Sequence, residues 1–97
     1  MWRDERKASA RRARLEREWA RLFRYACALT RDRERAADAA QEAALRVLTA
    51  RSEPADDPAY RRWLYSILRN LLIDQGRRRQ REQGTPAPEP ADWRFDE

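Results

Sequence analysis

The stretch Trp63-Leu64-Tyr65-Ser66-Ile67-Leu68-Arg69-Asn70-Leu71-Leu72 decides what kind of fold this chain can adopt. Its apolar members Trp63, Leu64, Ile67, Leu68, Leu71 and Leu72 recur at the spacing that places them on one stripe of an α-helix. Such a stripe must be laid against another element. Upstream, Asp57-Pro58 is a restart signal, a capping carboxylate followed by proline at the first helical position. Downstream the composition turns abruptly to Gln75-Gly76-Arg77-Arg78-Arg79-Gln80-Arg81. The helix either ends near Gly76, where glycine costs about 1 kcal/mol relative to alanine, or continues weakly through the arginines.

Glycine occurs only at Gly76 and Gly84, and proline only at Pro54, Pro58, Pro86, Pro88 and Pro90, so two long stretches ahead of this helix are free of both. The first predicts a helix from about Asp4 to Thr30, with Leu15, Trp19, Leu22, Phe23, Ala26 and Leu29 on one face. Asp32 is a good N-cap for a second helix over about Arg33 to Arg51, with Glu34 at the positive end of its dipole. Its apolar positions Ala36, Ala37, Ala40, Ala44, Leu45, Val47 and Leu48 are mostly small, which favours close helix packing. The expected fold is all-α, a compact bundle of three main helices with a basic N-terminal arm and a disordered Pro-rich C-terminal tail. Residues 1–14 read as the arm or a frayed helix start, 15–83 as the helical domain, and 84–97 as linker or tail.

A chain of 97 residues has room for one domain. With 40% charged and 41% hydrophobic residues it can seal only a thin core. The net charge of +5 is almost wholly arginine, since Lys7 is the only lysine among 22 cationic residues. Arginine suits bidentate phosphate and base-edge contacts, but GC-rich coding also enriches Arg and Ala together, so placement must decide. Cys27 alone excludes an intramolecular disulfide, and the absence of histidine removes any plausible zinc cage. No cofactor and no metal are expected. Neither a signal-peptide core nor a run near the ~20 apolar residues of a membrane span is present, so a cytoplasmic chain without membrane insertion is expected.

Catalysis has little to stand on, with no histidine, no activated cysteine and no phosphate-cradling glycine loop, and the expectation is a non-enzyme. Asp38 and Glu42 have the spacing of a carboxylate pair, but a solvated or partner-facing helix surface is the simpler reading. Nucleic-acid binding is better supported, because Arg61, Arg62, Arg69, Arg77, Arg78, Arg79 and Arg81 share one element with only Asp74 and Glu82 against them. Tyr60, Trp63 and Tyr65 interleave with these arginines as a surface for unstacked bases would require. Trp63 equally fits the apolar stripe, and arginines at a helix C-terminus also satisfy its dipole and last carbonyls. Asn70, flanking the stripe, either caps a packing interaction or reads a base edge.

Three segments together carry a family resemblance: Leu22-Phe23-Arg24-Tyr25-Ala26, Ala37-Asp38-Ala39-Ala40-Gln41-Glu42-Ala43-Ala44-Leu45-Arg46-Val47-Leu48, and Trp63 to Asp74 followed by arginines. From about Leu15 to Glu82 the chain resembles region 2 of an extracytoplasmic-function (ECF) sigma factor. The resemblance implies a bacterial transcription initiation factor domain that binds core RNA polymerase and recognises and melts the promoter minus-10 element. It implies that the second helix docks on the clamp helices of the polymerase beta-prime subunit through Asp38, Gln41, Glu42, Leu45 and Arg46, which match the family's Asp-x-x-Gln-Glu-x-x-Leu-Arg signature. The loop from Thr49 to Asp57 would hold a flipped base of the single-stranded non-template strand. The third helix would line that strand with Arg61, Arg62, Ser66, Arg69, Asn70, Arg77 and Arg78, while Asp74 would serve as an internal anchor.

An anti-sigma factor is a further partner that the family implies. Departures are visible too: Ala39, Ala40, Ala43 and Ala44 replace bulkier residues, and Val47-Leu48 stands where an aromatic is common. Complete members add a second helical domain that reads upstream promoter DNA, so an excised domain and a stand-alone region 2 are both open. Two rival readings stand beside this one, a sigma-like decoy that binds an anti-sigma factor or polymerase without recognising DNA, and a general Arg-rich single-strand nucleic-acid binder.

Overall fold

The computed structural model describes residues 2–84 and contains three α-helices, α1 (Trp2–Thr30), α2 (Arg33–Thr49) and α3 (Asp57–Gln83). No strand occurs among the described residues, in keeping with the all-α expectation. Past Gly84, the tail expected over 84–97 lies outside the described residues. The basic start of the chain is helical from Trp2 onward.

The ends of the helices follow local chemistry. Asp32 caps α2 as expected, its Oδ1 accepting the N–H groups of Glu34 and Arg35 at 3.0 and 3.3 Å. Ahead of it, Arg31 takes a left-handed conformation with φ of 54°, and its N–H closes on Cys27 O at 2.8 Å to end α1. The cap of α3 is Asp56 rather than Asp57: its Oδ2 accepts the Ala59 N–H at 2.9 Å, which places Asp57 and Pro58 in the first turn. Of the two outcomes open at Gly76, continuation is realised. The helix runs on through the arginines to Gln83 and stops at Gly84, whose φ of 70° is the left-handed geometry that glycine adopts without a Cβ penalty.

The core is made by unequal partners. α3 supplies most of the bulk, burying Tyr60, Leu64, Leu68, Leu71 and Leu72, and α1 adds Leu15, Leu22 and Ala26. α2 contributes Ala36, Ala39, Ala40, Ala43 and Val47, a stripe with little side-chain volume that brings its backbone close to its neighbours. Partly buried Trp19, Phe23, Leu29, Trp63 and Ile67 close the margins of this core. Leu45 and Leu48, expected among the apolar positions of α2, face outward instead, because the alanine stripe already occupies the inward arc.

Candidate functional site

Packing α2 through its alanines dictates what its opposite side presents. Asp38, Gln41, Glu42, Leu45 and Arg46 all lie on the exposed side, and Leu45 is 62% exposed in the middle of the group. None of the four polar members makes a side-chain hydrogen bond or ion pair among the described residues. The result is one apolar anchor ringed by two carboxylates, an amide and a guanidinium, none committed to the fold. Leu48, 37% exposed, extends the apolar centre along the same helix.

The second surface is on α3. At about 100° per residue, Arg62, Ser66, Arg69, Asn70 and Arg77 fall within an arc of about 100° on the side opposite Leu64 and Leu68. Asn70 is exposed, so it is not capping a buried contact, while Arg69 is half-buried beside Tyr25. The Ser66 hydroxyl donates to Trp63 O at 2.8 Å, leaving its oxygen as an acceptor toward solvent. Two residues expected on this face turn elsewhere. Arg61 Nε donates to Glu18 Oε2 on α1 at 3.1 Å, and Arg78 pairs with Asp74 at 3.7 Å. Asp74 thus has an internal cationic partner, although the pair is exposed and contributes little to stability. Arg79 also faces the protein, reaching the Asp32 carboxylate at 3.8 Å.

The aromatic residues interleaved with the arginines are engaged in packing. Tyr60 is 1% exposed, tilted against Trp63 with centroids 5.8 Å apart. Tyr65 stacks on Tyr25 of α1 at 5.0 Å and an interplanar angle of 19°. Burial raises the pKa of all three phenols, Tyr25, Tyr60 and Tyr65, above the ordinary value of 10.0. Trp63 remains half-buried, against the core rather than free of it.

Between these surfaces lies the connection from Ala50 to Asp56, and α1 holds it from behind. Arg14 Nη1 donates to Pro54 O at 2.6 Å and reaches Glu53 Oε1 at 3.5 Å. Its Nη2 donates to Ala55 O at 2.9 Å and Asp57 Oδ1 at 2.8 Å. Its guanidinium carbon stands 4.0 Å over the Tyr60 ring. Burial works to lower the Arg14 pKa, but the hydrogen bonds to Asp57 and Glu53 outweigh it and raise the value. One turn earlier, Arg11 Nη1 donates to Ala50 O at 2.5 Å. Sequence reading missed both residues, since their partners lie 39 to 43 positions away and no spacing rule connects them. Beside Arg14, a cleft of about 230 Å³ is lined by Arg17, Arg21, Arg61, Glu18, Asp57 and Tyr60.

Residues 15–82, most of the chain, match the family model described as Sigma-70 region 2. The chain belongs to the sigma-70 region 2 family. No curated protein and no solved structure gives a significant match. Sigma-70 region 2 is a transcription factor domain and not an enzyme family, and it binds core RNA polymerase and recognises the promoter minus-10 element. No helix among the described residues is long and apolar enough to cross a membrane, and no described cluster of three or more His, Cys, Asp or Glu residues could hold a metal ion.

Proposed function

We propose that this region 2 domain is of the ECF type, docking on the beta-prime clamp helices through the outer face of α2 and capturing an unpaired minus-10 base with the 49–57 connection and α3. The observation that carries the docking assignment is the uncommitted group around Leu45. An exposed leucine ringed by short polar side chains suits an interface with an apolar centre and a hydrogen-bonding rim. Because the alanines and Val47 of the inward stripe seat α2 in the bundle, docking on its outer face would cost the fold no existing contact.

The DNA assignment rests on the arc of α3 that carries Arg62, Ser66, Arg69, Asn70 and Arg77. The arginines would hold phosphates on either side of the captured base, while Asn70 and Ser66 offer hydrogen-bonding groups to base edges. Unstacking one base costs a few kcal/mol, which capture and phosphate contacts would offset. Arg61 and Arg78 would join only by leaving Glu18 and Asp74; the exposed Arg78–Asp74 pair exchanges readily, whereas Arg61 would leave behind a Glu18 side chain that is only 13% exposed. An anti-sigma factor would most simply compete for the α2 face, where the apolar anchor is.

The deciding experiment is binding of the chain to an isolated beta-prime clamp-helix fragment, with Gln41→Ala and Leu45→Ala as controls. Saturable binding weakened in both variants is the expected result. A folded chain that ignores the fragment at high micromolar concentration would overturn the docking assignment and leave single-strand binding by α3 to be pursued alone.

A further inference from the structure

We infer that Arg14 is a positioning residue for base capture, holding the connection between α2 and α3 in its receptive shape before a strand arrives; this rests on the reading of that connection as the base-capturing loop. Arg14 lies on α1, outside both surfaces described above, yet its side chain is only 15% exposed because four acceptors from residues 53–57 close around it. Two of those acceptors, Pro54 O and Ala55 O, are backbone carbonyls of the loop itself, so the guanidinium fixes main chain and not merely side chains. Tyr60 beneath the guanidinium belongs to the buried core, and its ring face adds a cation–π contact to the grip. Arg11 secures the other end of the loop at Ala50 O.

This arrangement ties down the inward side of the connection and leaves Arg51 and Ser52 exposed on the outward side. A loop of this length without such ties would lose conformational entropy on closing around a base, and binding would weaken accordingly. Lysine cannot substitute, since a point charge with three rotatable donors lacks the planar fork that reaches four acceptors at once.

The test begins by selecting a preferred sequence from a pool of short single-stranded DNAs on the full chain. The parent, Arg14→Ala and Arg14→Lys are then compared on the selected strand, on its scrambled version and on the clamp-helix fragment. Both variants should lose about tenfold or more in affinity for the selected strand, with little change on the scrambled strand or the fragment. Amide exchange at residues 51–57 should accelerate while that of α2 stays as in the parent.

A purely charge-balancing role predicts rescue by lysine, and that rescue would overturn the inference. So would an Arg14→Ala variant that discriminates the selected strand as the parent does. Should Arg14→Ala lose its cooperative thermal transition, the double variant Glu53→Gln with Asp57→Asn becomes the one measured, since it weakens the same grip from the loop side. It should show the same selective loss, and undiminished discrimination would again overturn the inference. A parent that docks on the clamp fragment but enriches no strand would instead remove the base-capture reading itself.

Discussion

Among single residues, the sharpest contrast is between Arg69 and Asn70, neighbours in sequence with different surroundings. Arg69 is half-buried next to the Tyr25–Tyr65 stack, and Asn70 is exposed with its amide available. Arg69→Ala and Asn70→Ala should each weaken binding of minus-10-type single strands by about 1–3 kcal/mol while clamp-fragment binding stays intact. Fluorescence anisotropy on both ligands checks this, and equal loss on both would point to a folding defect instead. The salt dependence separates the two further. Removing a phosphate contact at Arg69 should flatten the dependence of affinity on salt concentration, while removing a base-edge contact at Asn70 should leave the slope unchanged.

For the helices, α2 and α3 invite opposite substitutions. Enlarging the inward stripe, as in Ala39→Leu, should destabilise the fold by about 1–3 kcal/mol, because Ala39 is fully buried and its neighbours must move. Shrinking the outward anchor, as in Leu45→Ala, should leave the denaturation midpoint nearly unchanged. A Cβ added at Gly76 would meet nothing within 4 Å, so Gly76→Ala should stabilise α3 by about 0.5–1 kcal/mol. Urea titrations of the three variants test these three outcomes, and an unstable Leu45→Ala would show that the outer face of α2 supports the fold after all.

The helices themselves were legible in the sequence, because apolar period, Asp32 as a cap and Pro58 as a restart are local signals. The orientation of α2 was less so. An alanine stripe has almost no hydrophobic contrast with its surroundings, so Leu45 and Leu48 compete with it as inward positions until the packing is known. Of the site, the outward α2 group and most of the α3 arc could be named from residue type and resemblance. The partners of Arg11, Arg14, Arg61 and Arg79 could not, since each reaches across to another element through a flexible side chain. The interleaved aromatics misled for a related reason: residue type alone does not distinguish a stacking platform from a phenol already stacked within the protein.

The molecule as a whole has a stability that its phenols tie to alkaline pH. With no histidine in the chain, no imidazole titrates near neutrality. Tyr25, Tyr60 and Tyr65 hold their protons more tightly folded than unfolded, their folded pKa values being raised above 10.0. The unfolded chain therefore loses those protons first, and the stabilisation present below about pH 10 is lost as pH rises toward the folded values. The urea midpoint should hold steady up to about pH 9 and then fall, with each phenol contributing at most about 1.4 kcal/mol per pH unit. A midpoint that does not change through pH 11 would mean that these rings ionise freely in the native state.

The contacts of Arg11 and Arg14 have a practical consequence for anyone who trims the protein. A fragment cut to the family match would begin at Leu15, one residue too late to include Arg14 and four too late to include Arg11. It would keep every leucine of the bundle and all of the proposed α2 docking group, and in a clamp-binding assay it would pass as intact. Its defect would surface only in promoter selectivity, so expression boundaries for this domain belong upstream of Arg11, where homology gives no reason to put them.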